Sequence, residues 1–260
     1  MTPVALITGA SAGIGRELAR VFARHGHGLV LVARREQRLN ELAAAIEATG
    51  RLKPLVLAAD LAQPDATARI GEALAARGLE PQTIVNNAGF GLVGRASELS
   101  RDDQLGMIDL NLRALTDLSL SFIDSLTRHR GGLLNVASVA AFLPGPGSAV
   151  YYAGKAFVLS FSEALHRELA TQGIRGTCLC PGPVATEFQA RAGIAQGKPL
   201  WPLAVSAERV AEAGYQGLMR GQRVVVPGLA NKLLAALAPR FVPRNILLAQ
   251  LDRQQLKRGA

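Results

Sequence analysis

The sequence predicts a single α/β domain over residues 1–260, built on a doubly wound, seven-stranded parallel sheet with helices on both faces. Short β-branched or leucine-rich runs alternate with longer helical patterns from one end of the chain to the other, which is typical of a parallel sheet covered by helices. A chain of 260 residues with 49% hydrophobic content can bury one large core. No internal repeat or low-complexity linker interrupts the pattern, so we expect no second domain.

Seven apolar runs are the predicted strands. In chain order they are VALIT from Val4, GLVLVA from Gly28, PLVLAA from Pro54, TIVNN from Thr83, GLLNVAS from Gly132, GTCLC from Gly176 and RVVVP from Arg223. The predicted helices cover residues 14–25, 36–48, 64–77, 101–129, 150–172 and 206–220, and several end near glycine, as helices commonly do.

Residues 181–205 form the longest stretch outside this alternation and are rich in proline, glycine and alanine. They follow a predicted strand, and ligands of open α/β sheets bind beyond the carboxyl ends of strands. Long loops in compact domains are often functional. We therefore expect this loop to cover a substrate, with Phe188 and Trp201 either lining the pocket or simply packing.

Positive charge is concentrated in the last part of the chain. The net charge is +9, and residues 220–260 contain eight Lys or Arg against one Asp, so they carry +7 of it. No zinc-finger spacing or aromatic-basic RNA-binding motif accompanies this charge, so we expect no nucleic-acid partner. The basic tail, residues 229–260, repeats Leu229, Leu233 and Leu237 every four residues. It is predicted to pack against the domain or a partner subunit, or to make a weak peripheral contact with anionic lipid or with a substrate on an acidic acyl carrier.

Cys178 and Cys180 are the only cysteines and lie two apart in an apolar run. A strand points both to one face in a geometry unsuited to a disulfide, so we predict buried free thiols and no metal site. The first residues lack the basic lead and cleavage site of a signal peptide, and no apolar run is long enough to span a membrane. We expect a cytoplasmic protein.

The stretch TGASAGIG follows the first predicted strand and places Gly9, Gly13 and Gly15 before a predicted helix. Glycine permits a tight turn and a close approach to a phosphate, and the free N–H groups at a helix start attract negative charge. The spacing differs from the common G-x-G-x-x-G, but the order of strand, turn and helix is that of a dinucleotide site. The sequence therefore predicts a Rossmann-like, dinucleotide-binding fold.

The second predicted strand ends in LVARRE, where many dinucleotide enzymes carry an acidic residue that selects NAD. Arg34 and Arg35 instead stand where a 2′-phosphate binds, and guanidinium suits phosphate in charge and in donor geometry. We predict NADP(H) in preference to NAD(H); the alternative is that these arginines are merely solvated. Asp60, after the third predicted strand, is a candidate to bind the adenine amino group or to cap the next helix.

The stretch SAVYYAGKAF places Tyr151 and Tyr152 ahead of Lys155 on a predicted helix. Residues three or four apart share a helix face, so spacing leaves both tyrosines possible as partners of the lysine. A neighbouring ammonium favours the phenolate by on the order of 4 kcal/mol at ~4 Å and an effective dielectric constant of ~20, before desolvation. A Tyr/Lys pair of this kind can do acid/base chemistry near neutral pH.

These motifs together resemble the short-chain dehydrogenase/reductase family over nearly the whole chain. TGASAGIG is similar to its cofactor turn, NNAG to its fourth-strand motif and Asn111 in DLNLRA to its helix asparagine. Ser138, Tyr151 and Lys155 match its Ser, Tyr-x-x-x-Lys set with the customary step of 13 residues from serine to tyrosine. This step selects Tyr151 and leaves Tyr152 as a packing residue. PGPVATEF matches the segment that contacts the nicotinamide.

The resemblance implies four catalytic residues. Tyr151 would donate a proton to a carbonyl oxygen, or accept one from an alcohol, and Ser138 would hydrogen-bond the same oxygen. Lys155 would lower the tyrosine pKa and hold the nicotinamide ribose, and Asn111 would place a water that relays protons. Taken alone, Ser138 is equally a cap, Asn111 a backbone bracket and Lys155 a solvated charge. The implied cofactor contacts are Gly9, Ser11, Gly13, Ile14, Gly15, Arg34, Arg35, Asp60, Leu61, Asn87, Ala88, Gly89, Tyr151, Lys155, Pro181, Gly182, Val184 and Thr186.

We therefore expect an NADPH-dependent oxidoreductase that interconverts a ketone and a secondary alcohol, with 3-oxoacyl or other lipophilic molecules among the candidate substrates. LVARRE and the chain's ending resemble a bacterial oxidoreductase subgroup. The resemblance also implies a homodimer or homotetramer. The alternative class is a dinucleotide-sensing protein without turnover, against which the complete set of Ser138, Tyr151 and Lys155 argues.

Overall fold

The computed structural model describes residues 1–193 and 204–259. Its strands are β1 (Thr2–Thr8), β2 (Leu29–Ala33), β3 (Leu55–Ala58), β4 (Leu79–Asn86), β5 (Gly132–Val136), β6 (Arg175–Leu179) and β7 (Val224–Val225). They form one sheet in the order β3-β2-β1-β4-β5-β6-β7, and each neighbouring pair is parallel. The predicted seven-stranded, doubly wound sheet is confirmed.

Helices cover the connections between the strands. They are α1 (Gly13–Arg24), α2 (Glu36–Glu47), α3 (Ala66–Ala75), α4 (Arg101–Ile108), α5 (Leu115–Ser121), α6 (Ile123–Arg128), α7 (Ala149–Ala170), α8 (Glu187–Arg191), α9 (Ala207–Met219), α10 (Leu229–Phe241) and α11 (Arg244–Gly259). A π-helical turn covers Asp109–Ala114 and a 3₁₀ turn covers Val139–Phe142. Within the described ranges, no helix combines the length and apolar character needed to cross a bilayer.

Both faces of the sheet are buried, as the apolar runs predict. Side chains of β1 alternate between two cores: Ile7 belongs to the core that contains Phe22 of α1, and Leu6 to the core that contains Ile70 of α3. All five residues of β2 are buried. Strands covered on both faces read as continuous apolar runs, which is why the sequence pattern identified them.

Two predicted elements differ most from the structure. The helix predicted over residues 101–129 is divided into α4, the π-helical turn, α5 and α6, with Phe122 at φ −114° and ψ 15° between the last two. β4 begins at Leu79 rather than Thr83, and Pro81 lies where its pairing with β1 shifts register. A proline donates no backbone hydrogen bond, so an irregular ladder accommodates it.

The strand order reverses between β1 and β4, and Thr8 joins their carboxyl ends. Its Oγ1 accepts hydrogen bonds from the backbone N–H groups of Asn87 at 2.9 Å and Ala88 at 3.0 Å, and donates to the carbonyl of Val85 at 3.2 Å. The Asn87 side chain donates to the Thr8 carbonyl at 2.9 Å. Open α/β sheets bind ligands at such a reversal, so the fold positions a site here.

Helix α10 presents its small residues to the domain and its large apolar residues outwards. Asn231, Ala235 and Ala238 are buried. The outer stripe, as we call the opposite face, consists of Leu229, Leu233, Leu237 and Phe241, whose exposed fractions are 75%, 50%, 47% and 74%. The tail therefore packs against the domain, but not through its predicted leucine repeat.

Candidate active site

A cavity of about 820 Å³ opens at the carboxyl edge of the sheet. Of the residues predicted for the site, its lining includes Gly9, Ser11, Gly13, Ile14, Arg34, Arg35, Asp60, Leu61, Asn87, Ala88, Gly89, Ser138, Tyr151, Lys155, Pro181, Gly182, Val184 and Thr186. Gly15 and Asn111 are not in the lining. The structure thus brings together predicted site residues that are up to 177 positions apart in the sequence, from Gly9 to Thr186.

The turn after β1 has no room for a side chain at two of its glycines. Gly9 has a φ of +66°, and a Cβ there would stand 2.7 Å from Nδ2 of Asn87. A Cβ on Gly15 would stand 2.4 Å from the carbonyl oxygen of Gly9. The N-cap residue of α1, Ala12, provides no side-chain cap, so the first N–H groups and the positive end of the helix remain for an anion. These residues fit the phosphates of a dinucleotide.

The end of the cavity after β2 is cationic. Arg34 and Arg35 are exposed and line it. Arg35 donates through Nη2 to Oγ of Ser11 at 3.1 Å and through Nη1 to the Glu187 carboxylate at 2.7 Å. Arg38 also pairs with Glu187. The hydrogen bond from Arg35, followed by that from Arg38, lowers the pKa of the Glu187 carboxyl below its ordinary value.

Asp60 closes the turn after β3. Its Oδ1 accepts a hydrogen bond from the Ala62 N–H at 3.1 Å, while α3 begins only at Ala66. The predicted alternative, a cap on the next helix, is therefore wrong, because the carboxylate is used within its own turn. Asp60 and the neighbouring Leu61 line the cavity, where an adenine is expected.

Ser138 stands where β5 passes into the 3₁₀ turn. Its Oγ accepts a hydrogen bond from the Ala140 N–H at 3.2 Å and donates to the Pro181 carbonyl at 3.4 Å. A hydrogen bond with Ser138 also acts to lower the pKa of the Tyr151 phenol. The capping role and the predicted reactive role are thus compatible, because the cap fixes the oxygen that faces the tyrosine.

Burial dominates the electrostatics of Tyr151 and Lys155. It raises the pKa of Tyr151 to about 12, against the hydrogen bond with Ser138. It lowers the pKa of Lys155 to about 8, against the electrostatic influence of Cys178 and Cys180. The net pKa of Tyr151 is above its ordinary value, because lost hydration outweighs the hydrogen bond with Ser138. The phenol is therefore protonated at neutral pH. That Lys155 lowers this pKa stays a prediction.

The Lys155 ammonium has a defined position. It is 7% exposed, donates to the Val136 carbonyl at 2.8 Å and lies 5.8 Å from the centre of the Tyr151 ring. The alternative of a solvated surface charge is excluded by this burial. An ammonium fixed by β5 beside a phenol is well placed to exchange a proton with groups that reach the same cavity.

The two tyrosines have different surroundings. Tyr151 faces Phe188, with ring centres 5.7 Å apart, and meets Tyr152 edge-on at 6.1 Å. Tyr152 packs over Gly145, where a Cβ would stand 2.1 Å from its ring. Tyr152 packs as expected but also lines the cavity, so it contributes to the site's shape as well.

Asn111 brackets a backbone segment. It is 2% exposed, its Nδ2 donates to the Phe90 carbonyl at 2.8 Å, and its Oδ1 accepts from the Phe90 N–H at 3.1 Å. The π-helical turn that carries Asn111 widens the helix and directs the amide to this loop. The Asn111 side chain therefore holds the backbone of Phe90, and the water-relay role that the resemblance implies stays a prediction.

Several lining residues are not among those predicted for the site, although Glu187 lies within the motif PGPVATEF. Glu187 and Arg191 reach the cavity from α8, and Arg191 lies over the Phe90 ring with its guanidinium carbon 4.3 Å from the ring centre. The tail helices close the other end with Asn231, Leu234, Ala238, Val242, Leu247, Gln250 and Leu251. Residues 194–203 of the predicted substrate loop, which include Trp201, lie outside the described residues.

Cys178 and Cys180 are buried free thiols, as predicted, with Sγ atoms 3.7 Å apart. The hydrogen bond shared with Cys178, followed by burial, raises the pKa of the Cys180 thiol well above its ordinary value. In the part of the chain that the structure describes, no three His, Cys, Asp or Glu side chains are grouped to hold a metal ion.

A phosphate-binding helix start and a protonated phenol beside a serine, sharing one cavity, define the class of nucleotide-dependent oxidoreductases. The family model described as short chain dehydrogenase matches residues 3–196. The chain belongs to the short-chain dehydrogenase/reductase family, which confirms the resemblance of its motifs.

Similar proteins agree with this family. Sulfoacetaldehyde reductase 2 of Chromohalobacter salexigens is 38% identical over 191 residues, which are 72% of this chain and 75% of that protein. A short-chain dehydrogenase from Sphingobium yanoikuyae in complex with NADPH is 34% identical, with a TM-score of 0.79 over 98% of this chain and 95% of that one. The bulky-bulky ketone specific alcohol dehydrogenase from Comamonas testosteroni is 29% identical, with a TM-score of 0.76 over 99% of this chain and 94% of that one. The chain is an oxidoreductase acting on an alcohol or carbonyl group.

Proposed function

We propose that this protein is an NADPH-dependent carbonyl reductase that acts on a ketone or aldehyde with lipophilic substituents. The observation that carries the proposal is geometric: Ser138, Tyr151 and the buried Lys155 line one cavity together with the glycine turn. Burial, which raises the pKa of Tyr151 to about 12, agrees with a role as proton donor. A protonated phenol hydrogen-bonded to a serine suits proton donation to a carbonyl oxygen, whereas oxidation of an alcohol requires the phenolate. We therefore propose reduction as the working direction.

In the proposed mechanism the substrate oxygen accepts hydrogen bonds from Tyr151 and Ser138, which stabilise the charge that develops on it. When bound, a nicotinamide nucleotide supplies the hydride for the carbonyl carbon. Tyr151 gives its proton to the oxygen, and Lys155, whose pKa is about 8, supplies a proton to the phenolate. Asn111 acts indirectly, because its two hydrogen bonds fix the backbone of Phe90 between the lining residues Gly89 and Gly91.

The cofactor preference is proposed from charge. Arg34, Arg35 and Arg38 lie after β2, with Glu187 as the carboxylate paired with two of them, so the group remains cationic. Guanidinium groups suit a 2′-phosphate, and the Sphingobium yanoikuyae relative is described in complex with NADPH. Replacing Arg34 and Arg35 by serine should weaken binding of NADPH by about tenfold or more while changing that of NADH little. Equal weakening of both nucleotides would contradict the preference.

The substrate class is proposed from the lining of the end closed by the tail, which we call the substrate end. Its apolar members are Leu92, Val93, Leu143, Leu234, Val242, Leu247 and Leu251. Apolar walls favour uncharged, lipophilic groups over a small anion such as a sulfonate. The bulky-bulky ketone specific alcohol dehydrogenase from Comamonas testosteroni, a similar protein, supports the same class.

A carbonyl panel tests the activity and the substrate together. Purified protein is supplied with NADPH and with bulky aryl ketones, long-chain ketones, a 3-oxoacyl thioester or sulfoacetaldehyde, and nucleotide oxidation is followed by absorbance. We expect turnover of the lipophilic carbonyls that is lost in Tyr151→Phe. Binding of NADPH without turnover of any carbonyl would contradict the proposal and favour the dinucleotide-sensing alternative.

We propose a cytoplasmic homodimer or homotetramer as the working form. Exposed large apolar side chains support a subunit contact on α4, α5 and α7: Leu105, Ile108, Leu120 and Phe157. Light scattering of the purified protein should give twice or four times the chain mass, and Phe157→Asp should shift it towards one chain. A monomer for the unaltered protein would contradict the proposal; cell fractionation tests the compartment.

We propose that the outer stripe of α10 makes a weak contact with an anionic lipid surface. Its apolar side chains lie beside Lys232, Arg240 and Arg244, and α10 contains no acidic residue. A second copy on this face would bring like charges together, whereas anionic headgroups complement them. Vesicles containing phosphatidylglycerol should sediment the protein, phosphatidylcholine vesicles should not, and Leu233→Ser/Leu237→Ser should abolish the effect while preserving NADPH binding. Equal sedimentation with both lipids, or an unaffected variant, would contradict the contact.

A further inference from the structure

Glu187 joins three segments that meet at the nucleotide end of the cavity. It is the first residue of α8, and its carboxylate accepts hydrogen bonds from Arg35 at 2.7 Å and from Arg38. Arg35 in turn donates to Ser11 in the glycine turn. One carboxylate therefore links the loop after β6 to the residues that follow β2 and, through Arg35, to the turn after β1.

Each of the three guanidinium nitrogens of Arg35 is already engaged. Nε and Nη2 donate to Ser11 Oγ at 3.3 and 3.1 Å, and Nη1 donates to Glu187. The position after β2 is also where a dinucleotide's 2′-substituent is recognised. A phosphate bound to Arg35 would stand beside the Glu187 carboxylate, and two anions on one guanidinium repel each other. Because the Glu187 side chain is 51% exposed, it can turn away into solvent.

The surrounding arginines explain why a carboxylate is held here. Arg34, Arg35, Arg38 and Arg191 approach the same end of the cavity, and burial followed by the charges of Arg34 and Arg35 lowers the pKa of Arg191. Glu187 offsets part of this mutual repulsion. A phosphate dianion performs the same task, so the carboxylate and the phosphate are alternative partners for one cationic group.

We propose that Glu187 is a specificity-determining residue that occupies Arg35 and Arg38 in place of the 2′-phosphate and must be displaced when NADP(H) binds. The inference rests on the proposed NADP(H) preference. NADH lacks the phosphate and leaves the Glu187 contacts in place. Glu187 therefore weakens NADPH binding and narrows the difference in affinity between the two nucleotides.

Nucleotide titrations of the full-length Glu187→Gln variant test this competition. We expect a dissociation constant for NADPH about three- to tenfold lower than that of the unaltered protein, and a change for NADH of less than about twofold. Adenosine 2′,5′-bisphosphate and AMP differ by the 2′-phosphate alone and lack the nicotinamide. Glu187→Gln should strengthen binding of the bisphosphate and change binding of AMP little, as for NADPH and NADH. Glu47→Gln is the matched control, because it removes an exposed glutamate paired with Lys53 at 3.1 Å and lies outside the cavity lining.

Arg35→Gln separates failure of this inference from failure of the NADP(H) preference. If Arg35→Gln weakens NADPH binding, the preference stands, and Glu187→Gln added to it should give a smaller gain than Glu187→Gln alone. The role of Glu187 would be overturned, with the NADP(H) preference left standing, by an unchanged or raised NADPH dissociation constant in Glu187→Gln. Equal gains in affinity for NADPH and NADH in this variant would have the same consequence. NADH bound more tightly than NADPH by the unaltered protein, with no effect of Arg35→Gln, would overturn both.

Discussion

Replacing Lys155 by methionine should stabilise the fold. The ammonium is 7% exposed, and burial lowers its pKa from 10.5 to about 8. At about 1.4 kcal/mol per pH unit of pKa difference, keeping this buried lysine charged destabilises the folded protein by roughly 3 kcal/mol at neutral pH. Methionine has a similar length and needs no such hydration. It leaves the Val136 carbonyl without its donor, which costs about 1–3 kcal/mol.

Lys155→Met should therefore raise the free energy of unfolding by about 1 kcal/mol, which corresponds to a melting temperature higher by ~2–4 °C in a chain of this size. The sign of this change depends on pH. Below pH 8, Lys155 is protonated in both the folded and the unfolded protein, and its destabilising effect is complete. Between pH 8 and 10.5 the unfolded protein binds more protons at this lysine than the folded protein does. The unaltered protein therefore gains stability as the pH rises through this range. The advantage of Lys155→Met should therefore shrink through this window and reverse near its upper end.

Thermal melts of Lys155→Met and of the unaltered protein, followed by circular dichroism at neutral pH and at roughly pH 10, measure the difference in melting temperature between them. Other titrating groups contribute equally to both proteins and cancel in this difference. Lys53→Met is the control, because it replaces a lysine that is 62% exposed instead of a buried one. The reasoning is refuted if Lys155→Met melts below the unaltered protein at neutral pH, or if the difference is the same at both pH values.

Three further outcomes are expected. Tyr151→Phe should lower turnover at least a hundredfold in the absorbance assay, or about 3 kcal/mol, with NADPH affinity retained, while Tyr152→Phe keeps most activity; the opposite pattern would reverse the assignment. Gly15→Ala should lower the melting temperature, because a Cβ there would stand 2.4 Å from a carbonyl oxygen. Gly106→Ala is the control and should be neutral or stabilising, because nothing lies within 4 Å of a Cβ at that position. Equal changes in melting temperature for the two variants would show that the turn can relax. Asn111→Ala should destabilise the fold by about 1–3 kcal/mol in denaturant titrations and lower turnover, and unchanged stability would argue that its bracket is not needed.

Hydrophobic pattern predicted most of this fold, because strands covered on both faces are continuous apolar runs. The turn at Gly9 was equally predictable, since its chemistry depends on neighbours in the sequence. The π-helical turn at Asn111 and the register shift at Pro81 were not, because both depend on which backbone lies opposite. Motif spacing pointed to Asn111 but not to the partner it brackets.

The electrostatics of the site were the hardest to predict. A tyrosine and a lysine four residues apart suggest attraction, yet the pKa of Tyr151 is raised to about 12, since burial depends on the whole fold. Glu187 lies 152 positions from Arg35, and no periodicity or motif links them. Contacts of this kind are visible only when the sheet has brought its loops together.

The match to the family model ends at residue 196, and the helices that close the substrate end begin at Leu229. The part of the substrate end that the tail supplies is therefore encoded by a stretch of the gene separate from the one that encodes the nucleotide end. Recombination at the tail can exchange the walls around the substrate while the residues that hold the nucleotide and move the proton are inherited intact. Selection for a new substrate can act on the last 32 residues without rebuilding the chemistry.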